Sequence, residues 1–308
     1  MKLKKVFVLG PDENWIIDRF VNEWTADNAD ITVQNLRNAE VIWILAEFCW
    51  NRIPTSFLAT KKILTTIHHL VPDKFGAKEE QEFRLRDQFT TAYHVPNKHT
   101  EEMVKCLTQK PITLIPYWAH AGIWHKTGDP VDLRKKHKLP SNEFLIGSFQ
   151  RDTEGKGIPS GIFLPKEEKG PDLFVDAVIK YRDKCAHLFQ VHVVLAGWRR
   201  QYVISRLEAA NIPYTYFEKP SQEVINELYQ CLNLYPVTSR YEGGPQSLIE
   251  AGLLGIPVIS RDVGMASQLL PASAINDDVT LAIPYVPNVE RLKLPNGYQP
   301  YRDLIESL

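Results

Sequence analysis

A series of short, unbroken apolar runs, each followed by an amphipathic stretch, limits this chain more than any other feature. Val41–Leu45 is apolar at every position, which fits a strand buried on both faces rather than one with a wet side. Val6–Leu9, Lys62–Ile67, Thr90–Val95 and Ile112–Ile115 extend the series. Between them, Trp15–Trp24 places Trp15, Ile16, Phe20, Val21 and Trp24 at helical spacing, and His99–Leu107 fits a second helix. Such alternation predicts a parallel α/β sheet. From Ile115 to Leu139 the pattern weakens at Pro116, Gly122, Gly128 and Pro130, and a charged LRKKHK run follows, so this stretch reads as a linker.

A second series then begins, with strands at Phe144–Phe149, Val191–Ala196, Tyr214–Phe217, Leu232–Val237 and Pro257–Ser260. Helices are expected at Pro171–Tyr181, Gln201–Ala210, Gln222–Gln230 and Gln246–Leu254. At 308 residues the chain exceeds what one core usually serves. Two Rossmann-like halves in tandem are the expected architecture, with a ligand at the carboxyl ends of the strands.

Apolar residues make up 44% and charged residues 24%, enough for two cores. The formal net charge of -1 gives no nucleic-acid footprint. Three short basic clusters (Lys61-Lys62, Arg134-Lys135-Lys136 and Arg199-Arg200) read as solvated faces. The four cysteines, Cys49, Cys106, Cys185 and Cys231, form no metal or disulfide spacing and read as buried free thiols. The apolar run at the N-terminus is too short for a secretory signal, and no segment reaches the length of a membrane span. A cytoplasmic location follows as the expectation, with no nucleic-acid partner and at most peripheral membrane contact.

Residues 239–260, SRYEGGPQSLIEAGLLGIPVIS, carry the most chemistry. A glycine-containing loop bearing Glu242 leads through Pro245, at the first helical position, into a helix. Gly243 and Gly244 leave the backbone open to a ligand, and the amides of Gln246 and Ser247 at the positive end of the helix suit an anion. Gly255 ends the helix and Pro257 stops its continuation. Glu242 and Glu250, with seven residues between them, flank that anion site and suit the hydroxyls of a phosphate-containing ligand.

This segment resembles the family-4 retaining glycosyltransferases (glycosyl transferases group 1), whose signature is a Glu pair at this spacing followed by a Gly-x-Pro-Val-Ile turn. The resemblance implies an α/β GT-B fold of two facing Rossmann-like domains, with the donor site in the interdomain cleft. It assigns Glu242 to the donor sugar, Glu250 to the ribose, and the amides around Gly243, Gly244, Gln246 and Ser247 to the diphosphate and sugar. Upstream, IGSFQRDTEG and KGPDLFVDA resemble the element whose Arg and Lys neutralise the diphosphate. Arg151 matches the Arg and Lys169 the Lys, with Lys156 as the alternative. ILTTIHHLVP resembles the strand ending in His-Asp, which puts His68 beside the transferred sugar and replaces the Asp by His69. LIPYWAHAGIW resembles the crossing between domains. Trp118 and Trp124 there suit either an acceptor site or core packing, the latter favoured.

Carried over, the domains are 1–125 on the acceptor side, 126–285 binding the nucleotide sugar, and a tail at 286–308 that crosses back to the first domain. The implied function is retaining, metal-independent transfer from a nucleotide-diphosphate sugar, UDP or GDP type, to a glycan, lipid-linked or small-molecule acceptor, with no cofactor. Two alternatives stay open: another GT-B enzyme such as an epimerase, and a degenerate relative that binds a nucleotide or glycan without turnover. The chain departs from the family at Gly10–Asn14, which lacks the usual glycine-rich loop, and at Gly264–Gln268.

Overall fold

The computed structural model describes residues 3–13, 16–154 and 161–308. Asn14, Trp15 and the alternative diphosphate lysine, Lys156, lie outside the described residues. The chain divides into two compact units, Met1–Tyr117 with Pro295–Leu308, and Trp118–Leu294.

The first unit holds five parallel strands in the order β1 (Val6–Leu9), β2 (Val41–Ile44), β3 (Lys62–Thr66), β4 (Ala92–Val95) and β5 (Ile112–Leu114). Its helices are α1 (Ile16–Asp27), α2 (Thr55–Leu58), α3 (Ala77–Asp87) and α4 (Lys98–Lys105). After α1 the chain touches the far edge of β1, where Val6 N–H donates to Ile31 O at 2.8 Å and Val33 N–H to Val6 O at 2.9 Å. It then crosses to β2 on the other side, so the strand order reverses at β1. Such a reversal opens a crevice at the carboxyl ends of the two strands.

The apolar run of β2 divides by face, as a period of two requires. Ile42 and Ile44 pack with Ile63, Leu58 and Ile53. Trp43 faces the other way, edge-on to Trp24 at 5.1 Å and beside Tyr301 at 5.4 Å. Tyr301 comes from the helix Gln299–Ser307, so the end of the chain closes this core. Arg302 from the same helix pairs with Asp30 at 2.6 Å.

The second unit contains β6 (Phe144–Ser148), β7 (Val191–Gly197), β8 (Tyr214–Glu218), β9 (Tyr235–Val237) and β10 (Val258–Ser260). These strands pair with one another in parallel, and a bridge from Ile146 to Leu234 joins β6 to β9, giving the order β8-β7-β6-β9-β10. The reversal falls between β6 and β9. The helices are α5 (Pro130–Lys136), α6 (Pro171–Cys185), α7 (Gln201–Ala209), α8 (Gln222–Gln230), α9 (Gln246–Leu254) and α10 (Ala266–Leu269). Phe174, Val175 and Val178 of α6 and Val203 and Leu207 of α7 pack on Ile146, Val193 and Leu195 of the sheet.

Several sequence expectations are corrected here. The expected linker contains α5, started by the Asp129 side chain accepting from Val131 N–H at 2.8 Å. Arg200 is fully buried, not solvated. Arg134 donates to Cys231 O at 2.7 and 3.0 Å and so holds the end of α8. Of the cysteines, Cys49 and Cys231 are buried but Cys106 is exposed, and all four are free. By contrast, Trp118 and Trp124 are core residues, 2% and 3% exposed, as the favoured reading expects. Among the described residues no helix is long and apolar enough to cross a membrane.

Candidate active site

The reversal between β6 and β9 gathers the residues of the second unit. Past the end of β6, Gln150 Nε2 donates to Lys169 O at 3.0 Å. Past the end of β9, the Ser239 hydroxyl donates to Glu242 Oε1 at 3.0 Å. Lys169 Nζ lies 2.6 Å from the same oxygen. Both side chains are largely buried, 23% and 12% exposed, which makes the pair more than a surface contact.

Local backbone chemistry fixes this geometry. Gly170 caps α6 at φ +57°, a left-handed conformation that costs a side chain about 1–2 kcal/mol. A Cβ there would also lie 2.1 Å from Thr238 O, so the glycine lets the Lys169 segment lie directly on the end of β9. The Thr238 hydroxyl donates to Gly170 O at 3.0 Å, and Arg240 N–H donates to Glu168 O at 2.9 Å. Arg240 also grips Asp172 with both terminal nitrogens, at 2.8 and 2.6 Å. Lysine and glutamate are thus held on two loops that are themselves tied together.

Glu242 leads into α9 through Gly243, Gly244 and Pro245. Pro245 is the residue before the first helical position, one earlier than expected, and its own side chain makes no cap hydrogen bond. Gln246 and Ser247 form the first turn, where the positive end of the helix favours an anion. Gly264 (φ +54°) supports this loop, because a Cβ there would meet Pro245 Cδ at 2.8 Å. Gly255 ends the helix at φ +77°.

Glu250 lies on the buried face of α9, with the Tyr229 hydroxyl donating to its Oε2 at 3.0 Å. Tyr229 packs against Tyr235 at 5.2 Å and Phe149 at 4.7 Å, and burial raises its phenol pKa well above the ordinary value. The phenol therefore stays a donor to the carboxylate at all ordinary pH. Arg151, three residues past β6, is half-buried and has no ion-pair partner among the described residues. The structure thus brings Lys169, Glu242 and the start of α9 to one strand reversal, with Glu250 on the same helix.

Sequence reasoning missed what fastens this site. Arg200 donates to Asp152, to Ser148 Oγ at 2.9 Å and to Ala196 O at 2.9 Å, all with the pair essentially fully buried. It thereby locks the end of β6 just before Arg151. Gln150 and Ser239, equally unremarkable in sequence, complete the hydrogen bonds around Glu242.

In the first unit, His68 follows β3. A carbonyl only accepts, so Nε2–H donates to Leu45 O at 2.7 Å and Nδ1 accepts from the Tyr117 hydroxyl. Burial lowers the pKa of this imidazole, which keeps it neutral. Its own carbonyl accepts from the Thr100 hydroxyl at 3.1 Å.

Residues 160–282 match the family model described as Glycosyl transferases group 1. A search of curated proteins finds no match to the sequence. Among solved structures, Anabaena Alr3699/HepE in complex with UDP and glucose is similar at TM-score 0.68 and 14% identity, over 88% of this chain and 84% of that one. The same protein in complex with UDP-glucose gives TM-score 0.68 at 13% identity, over 99% and 89%. Sucrose-phosphate synthase from Thermosynechococcus elongatus gives 0.60 at 16% identity, over 87% and 66%.

Proposed function

We propose that this chain, of GT-B fold and with a glycosyl transferases group 1 match over residues 160–282, transfers a sugar from a nucleotide-diphosphate donor to a hydroxyl acceptor. The observation that carries this reading is the Lys169–Glu242 pair at the strand reversal, whose glutamate lies three residues before Pro245 and four before the start of α9. A cation and a helix start there can take the negative charge that builds on a departing diphosphate. UDP is the donor diphosphate we put first, because it is what the HepE complexes contain.

In this reading Lys169 and Arg151 bind the diphosphate, with the first turn of α9 at Gln246 and Ser247 assisting through its amides. Glu242 exchanges its contact with Lys169 for hydroxyls of the donor sugar. Glu250, oriented by Tyr229, accepts from the ribose. Lys169 and Arg151 supply the charge that a metal would otherwise bring, and transfer retains the anomeric configuration. His68 keeps its neutral ring toward Leu45 and Tyr117 and acts by position.

Calorimetric titration of UDP, GDP, ADP and dTDP into wild type and Glu250→Ala tests the donor site. One diphosphate should bind and lose affinity in the variant, and 2′,3′-dideoxy-UDP should no longer distinguish the two proteins. Binding without product across donors and acceptors would favour a degenerate binder. Failure of folded protein to bind any of the four would remove the transferase reading.

A further inference from the structure

The first unit contains a cavity of about 420 Å³ that none of the residues above explains. That volume lies inside the range of about 300–1,000 Å³ common for small-molecule sites. One wall is the 3-10 segment Glu47–Arg52 after β2, and the opposite wall is α3. Phe48, Trp50 and Phe75 give it aromatic surface, and Phe48 is 47% exposed.

Two charged groups on this lining each keep one buried polar atom without a hydrogen bond. Arg86 is 6% exposed, and its Nε is buried with no hydrogen bond. Its guanidinium lies 5.0 Å from the Phe83 ring centre, with no carboxylate in ion-pairing range among the described residues. Glu47 Oε2 is likewise buried and unbonded. One buried nitrogen of the guanidinium and one buried oxygen of the carboxylate, which do not meet each other, are costly unless a third body satisfies both.

We infer that this cavity is an acceptor subsite for a neutral, hydroxyl-rich sugar ring. Glu47 accepts a hydroxyl hydrogen, Arg86 donates to hydroxyl or ring oxygens, and the aromatic side chains cover the apolar face. Neutrality follows from the lining, because the exposed Lys78, Glu79 and Glu82 bring its total to two cations and three carboxylates. A sugar phosphate or uronate would meet that negative excess. Position supports the same use: Leu45, whose carbonyl holds His68, lies two residues before Glu47, and Leu70, on the cavity wall, lies two after His68. The inference rests on the transferase reading only in calling the sugar an acceptor.

Saturation-transfer NMR and calorimetry on the full chain with UDP present test it. The probes are methyl glucoside, methyl galactoside, methyl mannoside, methyl N-acetylglucosaminide, glucuronate and glucose 6-phosphate. At least one neutral glycoside should bind more tightly than both anionic sugars. Arg86→Gln should weaken it about tenfold or more. Phe48→Ala, at an exposed position that leaves folding intact, should also weaken it, with UDP affinity unchanged in both variants. Absence of neutral-glycoside binding, preference for an anionic sugar, or indifference to both variants would overturn the inference. Loss of UDP binding alone in wild type would instead count against the transferase reading and leave this one standing.

Discussion

Lys169 Nζ sits 2.6 Å from Glu242 Oε1, so the cation assigned to the diphosphate is neutralised by the carboxylate assigned to the sugar. The two variants should therefore diverge. Lys169→Ala should weaken UDP about tenfold or more, the loss of a charge-assisted contact. Glu242→Gln should leave UDP at least as tightly bound, because it releases Lys169, while transfer from the sugar nucleotide collapses. Calorimetry with UDP beside donor turnover reads both. Equal UDP affinity in wild type and Lys169→Ala would mean that the lysine only ties loops together.

Gly170→Ala should cost more than an ordinary surface change. The left-handed backbone alone accounts for about 1–2 kcal/mol, and the added carbon would collide with Thr238 O at 2.1 Å. A lowered thermal midpoint together with weaker UDP binding is expected, since Lys169 must move with its neighbour. A variant as stable as wild type would contradict the packing described.

The buried Arg200–Asp152 pair makes a different prediction. Arg200→Met strands a carboxylate that is 1% exposed, which should destabilise the second unit by about 3–5 kcal/mol. Arg200→Met with Asp152→Leu should recover part of that loss, because no charge then remains buried. Denaturant titration of the single and double variants measures it. A double variant no better than the single one would show that the hydrogen bonds to Ser148 and Ala196 matter more than the charge.

Acid should loosen the first unit through His94. Its Nε2–H donates to Ile115 O at 2.8 Å and Nδ1 accepts from Thr66 Oγ1 at 3.0 Å, so the folded ring is neutral. Burial pushes its pKa down to about 3, against about 6.5 in the unfolded chain. Below about 6.5 the unfolded chain takes up a proton that the folded one refuses. Stability is thus full above that pH and falls as pH drops toward about 3, by up to about 1.4 kcal/mol per unit. Lowered pKa at His68 acts in the same direction. Urea midpoints should fall between pH 7 and pH 5, and fall less in His94→Gln.

Much of this site was legible because α9 and its approach are written in residues with strong local preferences. Gly255, Pro257 and the loop Gly243-Gly244-Pro245 declare a turn, a stop and a start in any context. Arg200 was not legible. Arg199 adopts φ +55° and stacks 4.0 Å from the Trp198 ring, so two adjacent arginines are sent to opposite surroundings that composition cannot separate. Helix α3 was equally hidden: AKEEQEFRLRD has almost no apolar periodicity. Gly76 N–H bonded to Glu79 at 3.1 Å, and the Glu80–Arg84 pair, support it instead. The cavity it lines was therefore invisible in the sequence.

The helix Gln299–Ser307 buries Tyr301 against Trp24 and Trp43 of the first unit, although 177 residues of the second unit, Trp118–Leu294, intervene. The second unit is contiguous and the first is not, which sets the order in which they can mature on the ribosome. Residues 118–294 can complete their core as soon as they emerge. The earlier segment must wait, with Trp24 and Trp43 unclosed, until the final helix is synthesised. A released chain truncated after Leu294 should accordingly keep a protease-resistant second unit and leave Trp24 and Trp43 of the first unit uncovered.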